Sequence, residues 1–137
     1  MGIDSRKPKD SVGAMRRTTT FVTVAVDAVA EQRMPPVGAT LTVLTGGEAG
    51  RLLFVPATGG SLGRGKMAEF SFPEESISRR HAKLELADGK FQLTDLGSMN
   101  GTFVDGRRIK GTVEIPDSCR IQIATNTVIQ FAAVDEL

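Results

Sequence analysis

From Ala39 onward, short β-rich runs alternate with tight-turn chemistry, and no other feature constrains the fold as much. The runs are LTVLT (41–45), RLLFV (51–55), HAKLEL (81–86), KFQLT (90–94), GTFV (101–104), RIQIA (120–124) and TVIQFA (127–132). Between them lie Gly46-Gly47, Asp88-Gly89, Asn100-Gly101, Asp105-Gly106 and Pro116-Asp117. Asp-Gly and Asn-Gly are strong hairpin signals because both residues tolerate positive φ. His81 to Leu86 alternates with period two: Ala82, Leu84 and Leu86 fall on one side, and His81, Lys83 and Glu85 on the other. Many short strands spaced by tight turns specify an all-β fold, a sandwich or a barrel. Roughly a hundred residues can bury a modest core between two sheets. No internal repeat is visible.

The first part of the chain reads differently. Residues 1–20 are polar and close on Thr18-Thr19-Thr20. The segment FVTVAVDAVA (21–30) is apolar and fits either a strand or a short helix. Met34-Pro35-Pro36 reads as a linker, since consecutive prolines end regular structure. The expected organisation is a flexible tail over 1–37, a folded domain over 38–134, and the start of a linker or a truncated C-terminus at 135–137.

Composition removes several function classes. A net charge of +1 without a basic stripe argues against nucleic-acid binding. Cys119 is the single cysteine, so no internal disulfide can form, and its apolar neighbours place it in the core. One histidine and one cysteine offer no metal-ligand spacing. No apolar run reaches the length of a membrane span, and the first thirty residues lack a signal-peptide pattern. Met1-Gly2 hints at myristoylation, but Arg6 stands where that motif wants Ser or Thr. The default expectation is a cytoplasmic protein with neither a membrane partner nor a cofactor.

Several residues invite chemistry, each with a plainer explanation beside it. Arg64 lies between Gly63 and Gly65, where close backbone approach would let its planar fork meet phosphate oxygens. On spacing alone, an ordinary surface arginine in a flexible turn is the simpler explanation. Gly60-Ser61-Leu62-Gly63-Arg64-Gly65-Lys66 nearly matches the phosphate loop of nucleotide hydrolases. That loop needs a Ser or Thr next and then a helix. Met67 follows instead, and Pro73 soon breaks any helix. Ser78, His81 and Asp95 could be arranged as nucleophile, base and orienter, but nothing resembles a nucleophile elbow. Asn100-Gly101-Thr102 matches a glycosylation sequon, and its simplest reading is a hairpin turn.

Taken together, SLGRG, ISRRHA, DLGSMNGTFVDG and RRI closely resemble the forkhead-associated (FHA) pattern in order and spacing. The resemblance covers roughly Ala39 to Val134. It implies a two-sheet β-sandwich of about eleven short strands with ligand loops at one end. It also implies a phosphothreonine-dependent binding module in Ser/Thr kinase signalling, without catalysis. By position, Arg64 and Ser78 resemble the residues that contact the phosphate, with Arg79 beside them. Asn100 resembles the asparagine that hydrogen-bonds the peptide backbone. Gly63 and His81 match supporting positions, and Gly101 and Thr102 complete the turn that aims Asn100. Met99 departs from the pattern, which commonly has Thr or Ser there, so the site lacks one hydroxyl.

The tail acquires meaning from the same resemblance. Arg16-Arg17-Thr18-Thr19-Thr20-Phe21 looks like a basic-directed kinase site, or an incidental polar stretch. Thr18, Thr19 and Thr20 are therefore candidate phosphorylation sites, and the phosphorylated tail is a candidate ligand alongside an outside phosphothreonine protein. A threonine-bearing tail followed by the FHA pattern is similar to the front of bacterial signalling proteins. Some of these continue into a diguanylate cyclase domain, which would make this segment the regulatory part of a larger enzyme.

Overall fold

The computed structural model describes residues 35–135. The FVTVAVDAVA segment and Thr18, Thr19 and Thr20 lie outside the described residues, as do Glu136 and Leu137. Eleven strands and no helix occur among the described residues. They are β1 (Pro36–Val43), β2 (Leu52–Pro56), β3 (Gly60–Gly63), β4 (Phe70–Ser71), β5 (Ala82–Ala87) and β6 (Lys90–Asp95). After these come β7 (Thr102–Val104), β8 (Arg107–Arg108), β9 (Thr112–Glu114), β10 (Ser118–Ile123) and β11 (Thr127–Asp135).

The strands form two sheets. One has six strands in the order β2-β1-β11-β10-β7-β8, and the other has five in the order β4-β3-β5-β6-β9. All pairings are antiparallel except β3 with β4. Period-two alternation sends one face of each strand inward. Thus β10 buries Cys119, Ile121 and Ile123, and β11 buries Ile129 and Phe131. From the other sheet, β5 supplies Ala82 and Leu84, and β6 supplies Phe91 and Leu93. Phe91 and Phe131 meet edge to face across the core, with centroids 5.3 Å apart and rings at 75°. Such pairs add to the gain from burying their area.

Two Asp-Gly pairs turn hairpins as expected. Asp88 (φ 53°) and Gly89 (φ 77°) join β5 to β6, while Asp105 (φ 48°) and Gly106 (φ 86°) join β7 to β8. Positive φ at both loop residues matches the twist of the flanking strands. Asn100-Gly101 behaves differently. It closes a crossover from β6 in one sheet to β7 in the other, so the hairpin reading fails there.

Two further expectations shift. The first strand starts at Pro36, upstream of the expected domain start, and stops at Val43, short of Thr45. Pairing with β11 as far as Pro36↔Asp135 extends it, with a register shift between Pro36 and Gly38. A proline costs least at the first residue of a strand, where no ladder donor is lost from the interior. Period-two alternation puts His81 with Lys83 and Glu85, opposite Ala82 and Leu84, yet it is fully buried. It precedes β5, so the alternation that begins at Ala82 does not govern it.

Candidate functional site

Three loops converge where β3 ends, β5 begins and β6 ends. The register Leu62↔Ala82↔Asp95 puts those termini side by side. The loops are 64–69, 72–81 and 96–101.

His81 ties them together. Its backbone N–H donates to Leu62 O (3.0 Å), and its carbonyl accepts from Leu96 N (2.9 Å). Nδ1 accepts the Ser78 backbone N–H at 3.1 Å, and Nε2 lies 2.7 Å from Gly101 O. A ring nitrogen that accepts at Nδ1 must carry its proton at Nε2, so Nε2 donates to the Gly101 carbonyl. Burial pushes the imidazole below its ordinary value of 6.5, and the Gly101 carbonyl and nearby Asp95 charge only partly oppose this. Ser78 Oγ does not face the ring. It accepts the Met99 N–H at 3.1 Å. A nucleophile–base pair is therefore absent, and His81 holds loops in place.

Asp95 shapes the third loop. Oδ2 accepts the N–H groups of Gly97 (3.1 Å) and Ser98 (3.2 Å), while Oδ1 accepts the hydroxyls of Ser98 (2.6 Å) and Thr102 (2.7 Å). Burial alone would raise its pKa, but these hydrogen bonds prevail and hold it below the ordinary 3.8. Ser98 Oγ in turn accepts from Gly101 N at 3.1 Å. Gly101 has φ 93°, and a Cβ there would lie 2.9 Å from Arg108 Nε. Neither Ser98 nor the fourfold acceptor role of Asp95 was read from the sequence. The visible signal was an Asp two residues before Gly97, which is Asx-turn chemistry.

On this frame sit the expected ligand residues. Arg64 is exposed, and its Nε donates to Ile77 O at 2.9 Å. Its backbone N–H donates to Ser78 O at 3.0 Å. Asn100 Nδ2 donates to Ser76 O at 2.7 Å. Arg64, Ser78 and Asn100 are thus all bonded to the short stretch 76–78 or part of it. Ser78 Oγ, having accepted one N–H, keeps its own proton for donation. Gly63 belongs to the same construction: a Cβ there would sit 2.0 Å from Arg79 O. Met99 is 83% exposed beside Asn100, so it presents a thioether rather than a hydroxyl to solvent.

Arg79 is exposed and lies on a concavity of about 340 Å³. A smaller cavity of about 130 Å³ between the 44–51 loop and Glu74 is lined by carboxylates and no cation, a poor place for an anion. Among the described residues, neither Arg64 nor Arg79 takes part in an ion pair. Neither guanidinium being ion-paired, both keep N–H donors of the kind that bind anionic oxygens. The phosphate-loop alternative finds no helix after Lys66, only a turn and β4.

The sequence pattern of the FHA domain matches residues 60–124. This chain carries an FHA domain. The domain is similar to the glycogen accumulation regulator GarA of Mycolicibacterium smegmatis, at 34% identity over 80 residues, 58% of this chain and 51% of that protein. It is also similar to the oxoglutarate dehydrogenase inhibitor of Corynebacterium diphtheriae, at 36% identity over 72 residues, 52% of this chain and 50% of that one. This chain therefore spans about half the length of the curated relatives it matches. A solved FHA domain, from work on phosphothreonine-dependent FHA domain interactions, superposes with a TM-score of 0.63 at 25% identity, covering 72% of this chain and 99% of that one. The FHA sandwich is therefore the architecture of residues 35–135. Among the described residues, no helix is long and apolar enough to cross a membrane.

Proposed function

We propose that this FHA domain binds phosphothreonine peptides, with Arg64, Ser78 and Arg79 on the phosphate and Asn100 on the peptide backbone. One observation carries the reading: Arg64, Ser78 and Asn100 come from three separate loops, yet all converge on the stretch 76–78. A phosphate adds nearly two negative charges and three strong acceptors. Bidentate arginine contacts to it are short, strong and geometrically selective. Gly63, His81, Gly101 and Thr102 hold the loops, and Met99 stands where a further hydroxyl would help. The threonine methyl adds on the order of 1 kcal/mol if it is buried, enough for about a tenfold preference over phosphoserine.

The partner on this reading is a protein phosphorylated by a Ser/Thr kinase. The chain's own tail is a second candidate ligand, through Thr18, Thr19 or Thr20. About fifteen residues between Thr20 and the start of β1 at Pro36 can span up to about 50 Å when extended, enough to reach a site on the same or a neighbouring domain. Titration against a degenerate phosphothreonine library and its unphosphorylated counterpart tests the reading. Phosphate-dependent binding that Arg64→Ala abolishes is the expected result. Binding that survives Arg64→Ala would remove Arg64 from the site. For the tail, a kinase-treated chain should bind an outside phosphopeptide more weakly than the Thr18/Thr19/Thr20→Ala chain does. Equal binding by the two would refute self-occupation.

A further inference from the structure

The concavity beside Arg79 is lined by two more cations, Arg80 and Lys83, together with Ser61, Met67 and Leu96. No carboxylate lines it. Arg80 is exposed and in no ion pair among the described residues. Lys83 meets Glu85 at 3.3 Å, an exposed pair on one strand face that contributes little and exchanges readily for a better anion. Glu69, the carboxylate nearest Ser61, already accepts the Ser61 backbone N–H at 3.0 Å. Met67, 88% exposed, gives the concavity an apolar wall that costs free energy in water unless something covers it. Three like charges around one hollow concentrate positive potential. What fits is a side chain with an apolar stem and an anionic head.

Continuity with the phosphate site follows from the hollow itself. Arg79 and Arg80 line the same hollow, so a peptide whose phosphate reaches Arg79 has that hollow beside it. We infer that Arg80 and Lys83 form a second anion subsite, which takes a carboxylate or a second phosphoryl group on a residue flanking the phosphothreonine. The subsite rests on the phosphothreonine reading and sets the sequence preference of that same site.

The test uses the full, unphosphorylated chain and three kinds of fluorescent phosphothreonine peptide of one parent sequence. The first has neutral flanks. The second carries Glu, and the third a second phosphothreonine, placed in turn at each flanking position. Anisotropy titrations should show about a fivefold gain at one position for an anionic flank, diminished by added salt. The double variant Arg80→Gln/Lys83→Gln should cut that gain below about twofold, yet bind the neutral-flank peptide as the parent does and melt at the parent temperature. A gain from both anions assigns the subsite to charge in general, and a gain from the second phosphate alone assigns it to phosphoryl groups. Equal affinity for all three kinds of peptide overturns the subsite, as does a gain that survives the double variant. If the parent chain fails to bind even the neutral-flank phosphopeptide, the phosphothreonine reading itself has failed and the subsite falls with it.

Discussion

His81 works only as the neutral Nε2–H tautomer, because Nδ1 must accept the Ser78 N–H while Nε2 donates to Gly101 O. Its folded pKa is lowered, so the unfolded chain takes up a proton first as pH falls. The stabilisation is whole above the ordinary value of 6.5 and is lost as pH falls through the lower folded value. Urea midpoints should therefore decline as pH falls below the ordinary value of 6.5, and His81→Gln should flatten that decline while lowering the midpoint throughout. Asp95 acts in the same direction further into acid. Its contribution is present above 3.8 and is lost as pH falls through its depressed folded value. Asp95→Asn keeps one oxygen for the N–H groups of Gly97 and Ser98 but turns an amide donor toward the hydroxyls of Ser98 and Thr102, and should cost about 1–3 kcal/mol in chemical denaturation. Both residues were visible in the sequence as candidates. Their work was not, because nothing local says that His81 is buried or that Asp95 accepts four bonds.

At the level of elements, the sites of tightest contact are loop junctions. Gly63, the last residue of β3, passes so close to Arg79 O that any Cβ collides with backbone rather than with a flexible tip. Gly63→Ala should therefore push the 72–81 loop away. The expected loss is about 1–3 kcal/mol of stability, together with a larger loss of phosphopeptide affinity than the stability change explains. Equal affinity in the variant would show that the loop position is not critical. The hairpins at Asp88-Gly89 and Asp105-Gly106 could be read directly, since their positive φ is a property of the two residues themselves. The two-residue strands β4 and β8 could not. They are too short to alternate and exist only because a neighbour offers a ladder to join.

The whole domain depends on two sheets sharing one core. Phe131 on β11 and Phe91 on β6 meet across that core, so Phe131→Ala should cost about 3–5 kcal/mol and lower the thermal midpoint as one cooperative transition. A biphasic melt would instead show the sheets unfolding separately. The amino-acid sequence by itself determined the all-β class, the hairpin turns, the buried Cys119 and the order of motifs that resembles an FHA domain. Those features rest on local chemistry: allowed φ, period-two patterning, and residue types at set spacings. Tertiary structure alone decided that Pro36 pairs with Asp135, that 96–101 crosses between sheets, and that Arg64, Ser78 and Asn100 meet around 76–78. These depend on contacts between segments far apart in the chain, whose energies no local pattern records.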